Sequence, residues 1–231
     1  MKIEVLTDPE AAARRAAAVI AADARQAVEA RGRFVMAVSG GHTPWMMLGD
    51  LATEDVPWSG VHVVQVDERV APAGDPDRNL THLRESLLAH APLPPEQIHA
   101  MPVEADDLEA GAASYARVLE RVCGAPPVLD LAHLGLGPDG HTASLVPGDP
   151  VLAVADRDVA LTGLYLGRRR MTLTYPVLDR ARRVLWLVTG SEKVEMLPRL
   201  LSGDPSIPAG RVASGNALVL ADRAAKGEPS P

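Results

Sequence analysis

The stretch Val128-Leu129-Asp130-Leu131-Ala132-His133-Leu134-Gly135-Leu136-Gly137-Pro138-Asp139-Gly140-His141 joins an apolar run to a polar loop rich in glycine. Val128 to Leu134 reads as a buried strand. The loop after it sets a carboxylate, Asp139, close to an imidazole, His141, among glycines and a proline, and has little to offer a hydrophobic core. Glycine lets the backbone turn tightly and approach a ligand, and histidine moves protons near neutral pH. Open α/β sheets keep their sites in such loops, at the carboxyl ends of parallel strands. His141 is therefore the first candidate for chemistry.

Outward from this stretch, short β-like runs alternate with longer helical ones. Ile3 to Leu6 predicts a first strand, and Asp8-Pro9-Glu10 then offers a capping side chain followed by proline at the first helical position. That helix should run through the alanine-rich segment and stop near Gly32. Strands are expected at Phe34 to Val38, Val61 to Val66 and Val184 to Val188, with a strand pair near Val159 to Leu164 and Arg170 to Leu173. Helices are expected from about Pro44 to Leu51, over Asn79 to His90, over Leu108 to Val122, and from near Glu192 to about Leu201. A last strand falls within Val212 to Leu220, with a short helix after it. The alternation implies a three-layer α/β/α, Rossmann-like fold with a mainly parallel sheet. No repeat, linker or composition break divides residues 1–231, so one domain is expected, with a fraying tail from Lys226 to Pro231.

Composition limits the function. Aliphatic residues fill the interior, because aromatics are only 3% of the chain. A net charge of -7 argues against a nucleic-acid binder and requires a local cluster of cations to draw in any anionic substrate. The single cysteine, Cys123, excludes an intrachain disulfide and a thiolate metal cluster. No apolar run approaches the ~20 residues of a membrane span. Met1 to Val5 reads as a strand rather than a signal peptide, so a cytoplasmic protein is expected.

Four further polar loops stand at strand ends. Ser39-Gly40-Gly41-His42-Thr43-Pro44 reads either as an anion cradle of backbone N–H groups at a helix start or as a tight turn with Ser39 or Thr43 as N-cap. It lacks the P-loop pattern. Asp67-Glu68-Arg69, taken alone, reads first as a surface salt-bridge cluster, and Asp75 to Asn79 as turn and cap residues. In Thr189-Gly190-Ser191-Glu192-Lys193, a lysine in a helix's first turn opposes the dipole unless it faces an anion. Of Arg168, Arg169 and Arg170, at most one should reach a site. Arg170, adjoining the strand-like segment, is the choice.

Two other chemistries fit poorly. Gly135 to Gly140 formally matches G-x-G-x-x-G, with Asp156 and Asp158 near the required distance. Pro138, Gly140, Pro147, Gly148 and Pro150 crowd the span where the dinucleotide helix must run. The histidines show no paired metal spacing. His62 and His133 lie in expected strands and read as structural, and His42 reads as exposed.

Together the five loops resemble the 6-phosphogluconolactonase family, within the glucosamine/galactosamine-6-phosphate isomerase superfamily. The resemblance covers nearly the whole chain and includes Pro72, Asp75, Asn79, Met171-Thr172-Leu173-Thr174 and Pro208-Ala209 in the family's order. The related glucosamine-6-phosphate deaminase/isomerase family has an aromatic residue where Arg69 stands, and a glutamate shortly after the histidine, where this chain has Leu145-Val146-Pro147. The resemblance implies hydrolysis of 6-phospho-D-glucono-1,5-lactone to 6-phosphogluconate in the oxidative pentose phosphate pathway, with no metal or organic cofactor. His141 would be the general base on water. Asp67 would orient the water or the imidazole, and Asp139 would shape the loop or hold His141. Arg69 and Lys193 would bind the phosphate, helped by the amides of Ser39, Gly40, Gly41 and Thr43 and by Arg170. A sugar-phosphate isomerase or deaminase and a non-catalytic sugar-phosphate-binding regulatory domain are the alternatives. Covalent attack by Ser39 or Ser144 ranks below the water mechanism, because neither sits in a G-x-S-x-G elbow.

Overall fold

The computed structural model describes residues 1–229. In chain order the elements of the main sheet and its helices are β1 (Lys2–Leu6), α1 (Pro9–Arg31), β2 (Phe34–Val38), α2 (His42–Leu51) and β3 (Val61–Gln65). After β4 (Asp67–Arg69) come α3 (Asn79–Leu83), β5 (Ile98–His99), α4 (Leu108–Cys123) and β6 (Leu131–Leu134). The rest are β7 (Val159–Leu161), β8 (Arg170–Leu173), α5 (Tyr175–Asp179), β9 (Val184–Val188), α6 (Met196–Ser202) and β10 (Ala217–Asp222).

Seven strands form one sheet in the order β1-β10-β9-β6-β2-β3-β5, and every neighbouring pair in it is parallel. Alternate residues of a strand point to opposite faces, so a strand buried on both sides reads as continuously apolar. β2 illustrates this. Val35 and Ala37 join the core under α4, α5 and α6, while Phe34, Met36 and Val38 join the core under α1 and α2. β9 divides likewise, with Trp186 on the first side and Leu185 and Leu187 on the second. The helices therefore cover both faces, as the alternation implied.

The start of α1 follows from its sequence. Asp8 accepts the Ala11 N–H at 2.7 Å, Pro9 takes the first turn, and Gly32 ends the helix in the left-handed region at φ 73°. A cap of this kind stabilises a helix by about 1 kcal/mol. Its buried face is largely alanine, from Ala12 to Ala27, which lets it lie close on the sheet and on α2.

Several boundaries differ from expectation. The helix expected over Asn79 to His90 is α3 followed by a π-helical turn, Arg84–Leu88. The one expected from Glu192 is a 3-10 turn, Ser191–Lys193, and then α6. Pro198 gives the reason: its ring would clash with the Val194 carbonyl in a continuous helix, so the regular helix starts late enough to hold proline in its first turn. Lys193 thus lies outside α6, and the dipole argument for it lapses. The last strand begins at Ala217, and turns rather than a helix follow it. In the tail, the Lys226 and Glu228 N–H groups donate to Asp222 and Arg223 carbonyls at 3.3 and 2.9 Å, so these residues are held. Ser230 and Pro231 lie outside the described residues.

The largest departure is a second sheet, antiparallel, in the order β4-β8-β7. Asp67-Glu68-Arg69 is itself a strand, with Asp67 and Glu68 buried, not a surface charge cluster. It leaves the end of β3 through Val66, whose N–H donates to the Val38 carbonyl at 3.0 Å while its carbonyl accepts from Leu173 at 2.8 Å. The small sheet therefore stands over the carboxyl end of the large one.

Candidate active site

The chain winds outward from β2 through β3 to β5, then returns to β6 on the other side of β2 and continues to β9 and β10. The order reverses between β2 and β6, and the loops after these two strands diverge there to leave a crevice. Ser39 and Gly40 follow β2, and Gly135 to His141 follow β6. A cavity of about 200 Å³ opens at this point, lined by Ser39, Gly40, Asp67, Arg69, Asn79, Gly135, Leu136, Gly137, Pro138, His141, Ala143, Arg170 and Lys193.

One wall carries His141 with its carboxylate partner. His141 Nδ1 lies 2.6 Å from Asp139 Oδ1, and the same oxygen accepts the His141 backbone N–H at 3.1 Å. A carboxylate accepts only, so Nδ1 carries the proton and Nε2 presents its lone pair. Burial alone would raise the Asp139 pKa, but the His141 amide and imidazole outweigh it and hold the carboxyl below its ordinary range. Gly137 makes room for this geometry. A Cβ there would stand 2.0 Å from His141 Nδ1. Asp139 itself is not among the lining residues; it acts through His141.

The opposite wall is cationic. β4 and β8 pair so that Arg69 stands directly opposite Arg170, and Asp67 opposite Thr172. Like charges directly opposite on one face repel. Arg170 is only 6% exposed, and its Nε is buried without a partner among the described residues. Burial and then the Arg69 charge pull its pKa below the ordinary guanidinium value. Lys193 joins this wall from the turn after β9, with Glu192 3.3 Å away. A buried cation without an anion is costly, and an anion bound here would offset that cost.

Asp67 lies at the junction of the two walls. Its Oδ2 accepts the Ser144 hydroxyl at 2.6 Å and its Oδ1 the Asn79 amide at 3.2 Å. Asn79 also accepts from Arg69 Nη1, and a Cβ on Gly40 would fall 1.9 Å from its Oδ1. Asn79 is thus a site residue and not simply a cap. Sequence reasoning placed it in a turn, although its place in the family's pattern was a signal. Glu68 faces the other way. It accepts the N–H groups of Arg69, Asn79 and Leu80 at 2.9, 2.8 and 2.8 Å, and the buried Arg78 lies 3.3 Å from it. It fixes Arg69 and Asn79 relative to β4, and removing one partner of such a buried pair costs about 3–5 kcal/mol.

The first loop is more structural than expected. Neither Ser39 nor Thr43 caps α2; the N-cap is Gly41, with no side-chain bond. The Ser39 hydroxyl donates to the His133 carbonyl at 2.8 Å, and Thr43 Oγ1 lies 2.7 Å from Thr189 Oγ1. These bonds tie the ends of β2, β6 and β9 together. Ser39 and Gly40 line the cavity, whereas Gly41 and Thr43 do not. Of the arginine run, Arg170 alone lines the cavity; Arg168 pairs with Asp75 and Asp77. His133 is fully buried, which depresses its pKa to about 4, and His42 is exposed. Sequence reasoning gave no place to Tyr165, whose hydroxyl reaches Asp139.

A histidine–carboxylate pair facing a cluster of cations, at the switch point of a parallel sheet, has the make-up of an enzyme site. Comparison with known proteins agrees. The chain belongs to the family described as glucosamine-6-phosphate isomerases/6-phosphogluconolactonase, which matches residues 7–220. It is 36% identical to a 6-phosphogluconolactonase of Synechocystis over 87% of this chain and 85% of that one. Among solved structures it resembles 6-phosphogluconolactonase from Thermotoga maritima, with a TM-score of 0.85, 28% identity, and coverage of 96% and 98% of the two chains. A monomeric glucosamine-6-phosphate deaminase gives the same TM-score of 0.85 at 21% identity, which shows that the two activities share the fold.

Proposed function

We propose that this protein hydrolyses 6-phospho-D-glucono-1,5-lactone to 6-phosphogluconate, a step of the oxidative pentose phosphate pathway. The observation that carries the reading is the Asp139–His141 pair, 2.6 Å apart, on a cavity shared with Arg69, Arg170 and Lys193. The phosphate would sit between the two arginines and Lys193, with the backbone of the Ser39–Thr43 loop beside it. That placement turns the lactone carbonyl toward His141. Nε2 takes a proton from water as the oxygen attacks the carbonyl carbon. Asp67, held by Ser144 and Asn79, orients that water. The tetrahedral intermediate collapses by expelling the ring oxygen, which takes the proton back from His141, and the new carboxylic acid ionises. Asp139 keeps the imidazole in the required tautomer and stabilises its charged form.

Among the described residues Asp67 is the cavity's single carboxylate, and both its oxygens are engaged. An isomerase needs further acid–base groups for ring opening and for moving a proton between carbons. Hydrolysis needs one base and a positioned water. The Ser39 hydroxyl donates to the His133 carbonyl, and Ser144 is fully buried and does not line the cavity, which speaks against covalent attack. Among the described residues no helix is long and apolar enough to cross a membrane. A cytoplasmic location belongs to the proposal, since sugar phosphates are made and used there.

The test is hydrolysis of freshly generated lactone above its spontaneous opening. Wild type should exceed background, and His141→Ala should lose about 10²–10⁴-fold. A chelator should leave the rate unchanged. No excess rate in wild type ends the lactonase reading; full activity in His141→Ala ends the assignment of the base.

A further inference from the structure

The hairpin between β7 and β8 reaches two residues of the cavity, His141 and Arg170, through Tyr165. Tyr165 and Arg168 close it through mutual backbone bonds of 3.0 and 3.2 Å. Leu164 and Leu166 flank Tyr165 and are 77% and 81% exposed. Tyr165 turns the other way, and its contacts come from three directions. Its hydroxyl donates to Asp139 Oδ2 at 3.2 Å. Its ring meets the His141 imidazole edge-on, 5.6 Å between centroids. The Arg170 guanidinium carbon lies 5.0 Å from the same ring's centroid.

The two carboxylate oxygens of Asp139 are therefore divided. Oδ1 serves His141, through both its ring and its amide, and Oδ2 serves Tyr165. The last torsion of a carboxylate is broad and two-fold, so a bond to the second oxygen narrows it. Rotation would remove the acceptor from Nδ1 and with it the preference for the catalytic tautomer. Burial, followed by the Asp139 charge, raises the Tyr165 pKa, so the phenol remains a donor.

We propose that Tyr165 is a positioning residue for the reaction: its hydroxyl locks the Asp139 carboxylate that orients His141, while its ring covers Arg170. One side chain thus couples the phosphate anchor to the base. The inference rests on the lactonase reading.

Tyr165→Phe removes the hydroxyl and keeps the ring. kcat should fall about tenfold, the loss of one hydrogen bond to a charged group, while KM stays within about twofold. With Asp139 free to turn from the ring, the imidazolium loses part of its partner, and the acid limb of kcat/KM should move down by a few tenths of a pH unit. Asp67, Arg69, Arg170 and Lys193, the charged groups sharing the cavity with His141, are unchanged in this variant. Tyr165→Leu should lower kcat similarly and also raise KM several-fold, because the face over Arg170 is gone. Leu164→Ser, on the same hairpin, should behave as wild type. Wild-type kcat and an unmoved limb in Tyr165→Phe overturn the proposal. So does an equal loss in Leu164→Ser, which would make the hairpin's integrity the cause. An inactive wild type instead sinks the lactonase reading itself. Imidazole ¹⁵N NMR without substrate separates the two failures: wild type should show one tautomer protonated at Nδ1, and Tyr165→Phe a mixture. A single tautomer in both overturns the coupling whatever the activity.

Discussion

Gly137→Ala adds one methyl group, and the structure states where it goes. The new Cβ would lie 2.0 Å from His141 Nδ1 and 2.2 Å from Cε1. Non-bonded approaches of that kind below about 3 Å do not occur, so the imidazole must retreat by about 1 Å or rotate out of its site. Either movement breaks the 2.6 Å bond to Asp139 and takes Nε2 out of line with the attacking water. A displacement of this size at the reacting geometry costs about 10²-fold in rate. The backbone should tolerate the change. Gly137 is not at positive φ, and its bonds to the His141 carbonyl and from Gly140 use main-chain atoms that alanine also has. The expected result is a folded protein, with a melting temperature within a few degrees of wild type, whose kcat for the lactone is about a hundred times lower. KM should change little, since Arg69, Arg170 and Lys193 are untouched. Stopped-flow measurement on fresh lactone, corrected for spontaneous opening, reads both constants. Wild-type kcat in a folded Gly137→Ala would refute the placement of the base.

Arg170→Ala should raise KM by about ten- to a hundredfold with a smaller effect on kcat, because the lost contact is to the phosphate in ground and transition states alike. Its thermal stability without ligand should not fall, since an unpaired buried cation is removed; an unchanged KM would place the phosphate elsewhere. His133 supplies a pH dependence. Its pKa is pushed down to about 4 by burial, so the unfolded chain binds the proton first as pH drops. Stability is therefore fully present above about 6.5 and falls by about 3 kcal/mol between there and about 4. Urea midpoints at pH 7.5 and 4.5 should show this loss together with a similar one from His99, which burial also holds at about 4, and His133→Gln should remove about half of the total. Equal slopes in the two proteins would assign the acid sensitivity to other groups.

Much of the main sheet was legible in the chain. β2 and β9 match their expected ranges because each is buried on both faces and flanked by breakers, which leaves a continuous apolar run. The cap and stop of α1 were readable because Asp8, Pro9 and Gly32 act within a single turn. The loop after β6 was legible for the opposite reason: glycines with an acid and a histidine are out of place in a core. Helix ends failed where one residue competes with a pattern, as Pro198 does in α6. In the small sheet the β7–β8 pair was legible, whereas β4 was missed because it is short, charged and paired with a strand about a hundred residues away.

Local chemistry by itself determined that His141 and Asp139 belong together, since they share a short loop whose glycine leaves space for the ring. It also determined the parallel architecture, through apolar runs alternating with helices. Which residues face His141 was legible only through the family resemblance, and how they meet it was decided by tertiary structure. The pairing of Arg69 with Arg170 is antiparallel and long-range, and no periodicity within either segment announces a partner in the other. The same holds for Asn79 between Arg69 and Asp67, and for Tyr165 reaching across to Asp139. A side chain's type and neighbours in sequence say what chemistry it can do; the crevice where the strand order reverses says with which other groups it does it.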